Sequence, residues 1–550
     1  MDESMYEVQL QRPYSGPSLN FIISPELAAV RCAELGAAGL LSELNRIHST
    51  VHTMETAGIS SLLEECLSKS YDFGTAYAHL RPFWNLRFWL EGDHSTLRKM
   101  FSEFEENDHA TREKAQIKGT IMEPRTVPPR RLWDLYAHRV VPGYLGYHPY
   151  PTYWPVSHSW TNDMVGIETP VNGYEWPVPM PTGITLEMIR NELLNLGASY
   201  AWLDVVCLRQ KSPDPVKEEI REEEWQVDVP TIGNAYQFTH GASTVQYCNG
   251  LGRPFRTVGW DDPRHWLNRA WTLQEINLDA IIGGVTKAIP NPMEAVREDG
   301  DCTTSFQRMM QQLNIIMSAN QAELFMLLEE MKRRSATNTI DKIAGLGYLL
   351  SSQSLPAYYA SQSPEDAWNM LVDHMLEPTR SVLLFVFPSA GDGRRLWMPS
   401  WKQIVETDLL SLRGQALGHE PVQSRGSGSS IMVQHRGYRI NKCFIRGLGL
   451  LLPDAEDTQD NNEQRVGFVE VEAEGGEKYK RKIQARHRVV IPDGWYTLAG
   501  DTGLENWVVC QSREVSGTRL RKVSVVTVKE EGFDELVSAG VAFQVWNPFV

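Results

Sequence analysis

The stretch YAWLDVVCL at 200–208 is an almost unbroken apolar run of strand length, interrupted only by Asp204. Such a run fits a strand buried on both faces, as in a parallel sheet covered by helices. Its neighbours supply the rest of that pattern. Thr185 can cap a helix whose Leu186, Ile189, Leu193 and Leu196 make one apolar face, and Gly197 stands where a left-handed terminating residue is wanted. YWPVSHSW at 153–160 reads as a first strand with a polar tip, Pro230 to Phe238 as another helix, and STVQYC at 243–248 as a further strand. Asp262 and Pro263 then read as the cap and first position of a helix over 263–279. Strands separated by helices predict a βαβ arrangement with a parallel sheet.

In that last helix Asn268, Trp271, Glu275, Leu278 and Ile282 follow the spacing of one face, which puts Glu275 on an apolar stripe. A carboxylate there is either paired with a cation or hydrogen-bond donors, or it lines a cleft with a perturbed pKa.

At 550 residues the chain is too long for one hydrophobic core. Residues 25–114 are rich in Ala, Leu and Glu with a helical repeat, and Trp84, Phe88 and Trp89 within them read as core packing or as a partner-binding groove. EPRTVPPRR (123–131) reads as a linker, and KEEIREEE (217–224) as a solvated helix or loop face. Residues 305–377 return to helix, and the GLG at 345–347 lacks the lysine and flanking elements of a phosphate loop. Beyond a Gly/Ser-rich segment at 413–430, GYRINKCFIRGLGLLL, KIQARHRVVI, GWYTLAG, NWVVCQS and KVSVVTV are short strand-like runs divided by turn residues. The expected organisation is an N-terminal helical region over 1–122, an α/β domain over 130–290, a mainly helical extension over 291–412 and a β-rich module over 431–550.

A net charge of −16 argues against a nucleic-acid-binding surface over the whole molecule. Seven scattered cysteines, none in a CxxC pair, fit neither a disulfide framework nor a zinc site, and no His, Cys or carboxylate spacing suggests a metal. The N-terminal MDESMYEVQL lacks a basic and an apolar region, and the best apolar run, around Ser381–Phe387, is far short of the roughly 20 residues a membrane span needs. A soluble, cytoplasmic protein with no membrane span is expected.

Three ordered blocks, SHSW (157–160), WLDVVCLRQ (202–210) and NRAWTLQE (268–275), with VNGYEWPV and Gly-Asn-Ala-Tyr between them, resemble the fungal heterokaryon-incompatibility (HET) domain over about 130–285. RRSATNTIDKIAGLGYLL (333–350) and LWMPSW (396–401) resemble its downstream context. The resemblance implies a TIR-like or flavodoxin-like α/β fold and a role in non-self recognition, fungal innate immunity and programmed cell death. Some TIR domains split NAD with a Glu in a Trp-containing motif, so the analogy makes NAD a candidate substrate and Glu275 the catalytic residue. No cofactor is implied. Ser157, His158, Trp160, Asp204, Arg269 and Trp271 are then the candidate substrate-binding residues.

Each has a structural alternative. Glu275 and Arg269 can pair with each other, Trp160 and Trp271 can be core, His158 can be a hydrogen-bonded structural residue, and Asp204 can cap backbone. Ser157 and His158, adjacent on a strand, point to opposite faces and are poorly placed to bond to each other. Cys207 reads as a buried small hydrophobe. The alternative function is a non-enzymatic signalling adaptor that assembles with itself or with other signalling proteins.

Overall fold

The computed structural model describes residues 21–84, 95–146, 152–237, 242–256, 259–277, 280–284, 324–350, 353–412, 423–425, 432–449, 465–500, 506–512, 519–528 and 533–550. The fold is mixed α/β. Contacts divide the chain into two compact units, one of Met1–Gln311, Arg334–Asp341 and Gln353–Ala360, the other of Gln312–Arg333, Lys342–Ser352 and Ser361–Val550.

The first unit is built on a six-stranded sheet in the spatial order Ile281–Ile282, Val245–Tyr247, Trp154–His158, Tyr200–Leu203, Arg131–Asp134, Arg139–Pro142. The first four strands are mutually parallel, but the last two form an antiparallel edge, so the sheet is mixed and not the all-parallel one expected. The reason is local. Asp134 Oδ1 accepts from Tyr136 N at 2.9 Å and Ala137 N at 3.0 Å, folding the chain into a turn far too short for a parallel crossover. The connection after Trp154–His158 leads to a strand on one side and the next parallel strand lies on its other side, which leaves a crevice beyond the carboxyl ends.

The helix after Thr185 spans Leu186–Asn195, with the Thr185 side chain accepting from Met188 N and Gly197 at φ 93°. The acidic run lies in the helix Pro215–Asp228, which Asp214 caps, and it is not wholly solvated: buried Glu224 receives Arg131 at 2.6 Å and Arg209 at 3.3 Å.

The N-terminal helices Cys32–His48, Ile59–Ser68 and Phe73–Leu80 share one core with this sheet, in which Leu44, Phe73 and Tyr77 belong to the same cluster as Trp133, Tyr153 and Val156. Trp84 is buried in that core and donates to Thr50 Oγ1 at 2.9 Å, whereas Phe88 and Trp89 lie outside the described residues. The Pro-rich segment expected as a linker is fastened down. Asn234 Nδ2, on the helix Ile232–Gln237, donates to Pro124 O at 2.6 Å and Val127 O at 2.7 Å, and Arg130 pairs with Asp228 at 2.7 Å.

In the second unit, the strands Met432–Arg446, Arg465–Glu472, Lys478–Ala485, Leu520–Val528, Asn506–Ser512 and Gly494–Gly500 pair antiparallel in turn, and the last pairs back to the first. The β-rich module is thus a closed antiparallel sheet, which removes the exposed edges an open one would carry. KIQARHRVVI stays in strand only to Ala485, and Arg465–Glu472 and Ala542–Phe549 are strands that the sequence reading passed over. The helices Leu324–Arg333, Pro364–His374 and Glu377–Phe385 precede this module, and the GLG lies inside the helix Ile340–Leu350. No helix among the described residues is long and apolar enough to cross a membrane.

Asn234→Ala would strip the donor from two carbonyls and free the Pro-rich segment. We expect it to lower stability by about 2 kcal/mol, read as a shift of the urea unfolding midpoint with unchanged native circular dichroism.

Candidate functional site

Two departures from the expected secondary structure make the site. The run 200–208 does not continue as a strand. Asp204 Oδ1 accepts from Val205 N at 2.7 Å, its carbonyl accepts from Leu208 N at 2.9 Å, and Gln210 Nε2 bonds to the carbonyls of Asp204 and Leu208 at 3.1 and 2.9 Å. Asp204 therefore ends the strand at Leu203 and opens a helical turn, Asp204–Cys207, because its side chain competes for the backbone. Cys207 within that turn is buried, and burial pushes its thiol up to about 12.

The helix expected over 263–279 is also absent. His265 caps a short 3-10 turn at Trp266–Asn268, Arg269 is extended, and a second 3-10 turn follows at Trp271–Leu273. The chain is diverted by Ser335, whose N donates to Asn268 O at 2.6 Å and whose O accepts from Ala270 N at 2.9 Å, while Asn268 Nδ2 closes onto the carbonyls of Trp260 and Asp262 at 2.7 and 2.8 Å. Of the residues expected on one helical stripe, Leu278 lies outside the described residues.

The loop and the strand ends converge on a cavity of about 560 Å³ walled by His158, Trp160, Asp204, Arg269, Trp271 and Glu275. Ser157 does not line it. It stands behind Glu275, donating to Oε2 at 2.5 Å and accepting from Trp266 Nε1 at 2.6 Å. His158 and Ser157 make no bond to each other; His158 Nε2 meets Asp204 Oδ1 at 2.7 Å, its Nδ1 meets Ser159 O at 3.2 Å, and Trp160 Nε1 donates to Asp204 Oδ2 at 3.1 Å.

Sequence reasoning missed several wall residues: Trp202, Tyr236, Asp341 and Tyr358. Tyr236 belongs to the Gly-Asn-Ala-Tyr element and its hydroxyl reaches both Val156 O at 3.3 Å and the Glu275 carboxylate, so that element carried a signal. Tyr358 Oη donates to Asp341 Oδ1 at 2.8 Å; Asp341 belongs to the RRSATNTIDKIAGLGYLL block, whereas Tyr358 lies beyond it with nothing in spacing to announce it.

The two carboxylates on the strand-end side are pushed apart. Burial raises Glu275 to about 7, with the Ser157 hydrogen bond opposing the rise. Burial would raise Asp204 as well, but the charge and hydrogen bond of His158 and the donors Trp160 and Val205 N hold it below its ordinary value. Burial works to lower His158, yet Asp204 outweighs that effect and raises it. Asp204 and His158 thus favour each other's charged form beside a carboxyl that exchanges its proton near neutrality, the separation that acid and base roles require. Arg269 does not close off Glu275. Its guanidinium makes no hydrogen bond or ion pair among the described residues, and burial with nearby Arg264 lowers its pKa.

A larger cavity of about 710 Å³ is lined by Arg112, Arg130 and Arg131, but each is already engaged by Asp108, Asp228 or Glu224. No cluster of metal-ligating side chains occurs among the described residues. Comparison with family models, with curated proteins and with solved structures finds no match to this chain.

A carboxyl whose folded pKa lies above its unfolded value of 4.5 supports the fold fully below pH 4.5 and withdraws that support as pH rises through about 7. Glu275→Gln stays neutral throughout. Its stability relative to the parent should improve by up to about 3 kcal/mol between pH 4.5 and 8. Denaturant unfolding at the two pH values checks this, and a difference independent of pH contradicts it.

Proposed function

We propose that residues 130–290 form the HET domain of an effector of fungal non-self recognition and regulated cell death, TIR-like in fold and acting in the cytoplasm, whose cavity hydrolyses NAD at the nicotinamide–ribose bond. The observation that carries the enzymatic reading is Glu275, a buried carboxyl titrating near neutrality on the wall of a cavity that Arg269 also lines, its guanidinium free of hydrogen bonds and ion pairs among the described residues. The cell-death role follows from the resemblance of the three sequence blocks. Their residues His158, Trp160, Trp202, Asp204, Trp271 and Glu275 sharing one cavity supports reading the blocks as one site.

In the cleavage the bond between the ribose anomeric carbon and the nicotinamide nitrogen breaks, and its electron pair leaves with nicotinamide. Positive charge builds on the ribose, where an adjacent carboxylate stabilises it. Water adds to the anomeric carbon and yields its proton to Glu275, which passes it to solvent. Arg269 suits the pyrophosphate, the indoles of Trp160 and Trp271 offer faces for the rings, and the Asp204–His158 pair offers hydrogen bonds to ribose hydroxyls. The volume falls within the range of pockets that enclose ligands of this kind, roughly 300–1,000 Å³.

Purified full-length protein incubated with NAD should release nicotinamide, detected by chromatography. The rate should rise with pH through about 7 as Glu275 ionises and then level off. Glu275→Gln should lower it by about 100-fold or more while remaining folded. A folded protein that self-assembles yet releases no nicotinamide would sink the enzymatic reading in favour of an assembly adaptor.

A further inference from the structure

The two oxygens of the Glu275 carboxylate are not equivalent. Oε2 accepts the 2.5 Å hydrogen bond from Ser157 Oγ, which itself accepts the 2.6 Å bond from Trp266 Nε1. The donor inventory fixes the directions: an indole N–H can only donate, and a serine hydroxyl has one proton. With Trp266 as its donor, Ser157 keeps that proton for Glu275. The pair is rigidly placed. Ser157 and Trp266 are both fully buried; Ser157 sits in the central strand opposite Gln246, and Trp266 is tied by its N to Cys248 O at 3.2 Å and by its O to Thr272 Oγ1 at 2.6 Å.

We propose that Trp266 and Ser157 are positioning residues that hold Oε2 of Glu275 as a standing acceptor, leaving Oε1 as the oxygen that takes and releases the proton during reaction with a ligand in the cavity. The reaction itself rests on the NAD reading; the placement of the proton is a property of the ligand-free protein. In the cleavage, the water proton goes to Oε1, and the bond from Ser157 is kept throughout. A hydrogen bond to an ionised carboxylate favours the charged form, so the relay also limits how far burial can raise Glu275. The other groups that face this carboxylate are Asp204 and His158 at the strand ends, Tyr236 on its helix and Arg269 on the loop. All four stay in place in the variants below.

The test is a titration of Glu275 in the ligand-free full chain, followed through its carboxyl stretch in infrared difference spectra and assigned by the band lost in Glu275→Gln. Ser157→Ala should move the titration up by about one pH unit. Trp266→Phe, which frees the hydroxyl to turn away, should move it up by less, and the double variant should sit no higher than Ser157→Ala alone. Ser157→Cys, nearly isosteric and a weaker donor, should fall between parent and Ser157→Ala, and it serves if the alanine variant does not fold. The relay is overturned if neither Ser157 variant moves the titration, or if Trp266→Phe adds its full shift on top of Ser157→Ala. In the turnover assay the acid limb of the pH profile should move by the same interval with the KM for NAD unchanged. Shifted titrations without nicotinamide release would discard the substrate reading and keep the relay; turnover with unmoved titrations would do the reverse.

Discussion

The pairing of Arg269 with Ser335 shapes the site more than any single side chain does. A helix carried through 263–279 would have directed its carbonyls along its own axis. Instead the Asn268 carbonyl and the Ala270 amide are given to Ser335, and Arg269 is left extended between two short turns. That geometry places Arg269 on the cavity wall, its guanidinium hydrogen-bonded to none of the described residues, and still brings Glu275 against the central strand. The energetic cost of a broken helix is offset by bonds that fasten the loop, among them Thr272 Oγ1 to the carbonyls of Trp266 and Arg269 at 2.6 and 2.8 Å and Arg334 to Thr272 Oγ1 at 2.8 Å.

The electrostatic character of the cavity follows from who is solvated by whom. His158 is buried and Asp204 half-buried, and each has the other as its principal partner, which favours the charged form of both. Among the described residues Glu275 has no cation hydrogen-bonded to it, and the neutral hydroxyls of Ser157 and Tyr236 beside it lessen the burial penalty without cancelling it. One carboxylate is therefore a fixed charge and the other a proton exchanger, although their chemistry is identical.

Much of the scaffold was legible because it rests on local rules. Thr185 and Gly197 bracket their helix, the short apolar runs of the sheet do become strands, and the C-terminal runs do form a β module. What escaped was decided by side chains acting on distant or competing backbone. Asp204 turned a nine-residue apolar run into a four-residue strand by capping its own neighbour. Ser335 undid a helix that Asp262 and Pro263 were suited to start, and Asn234 converted a Pro-rich spacer into packed chain. At the site, the candidate residues do meet except that Ser157 stands one layer back. Trp266 lies two residues before the NRAWTLQE block and carried no sign of its hydrogen bond, and Asp341 and Tyr358 come from segments whose proximity only the tertiary fold creates.

That last pair bears on where the α/β domain ends. Asn234 holds the carbonyls of Pro124 and Val127, Ser335 pairs with Asn268 and Ala270, and Asn338, Asp341 and Tyr358 help wall the cavity, so the expected 130–290 segment is sewn to chain on either side of it. A piece excised at residues 130 and 290 would carry the three quoted blocks yet lack one wall of the cavity. The smallest piece that keeps the cavity whole is correspondingly larger than the span of those blocks, and must include the segments that return to it from beyond residue 333.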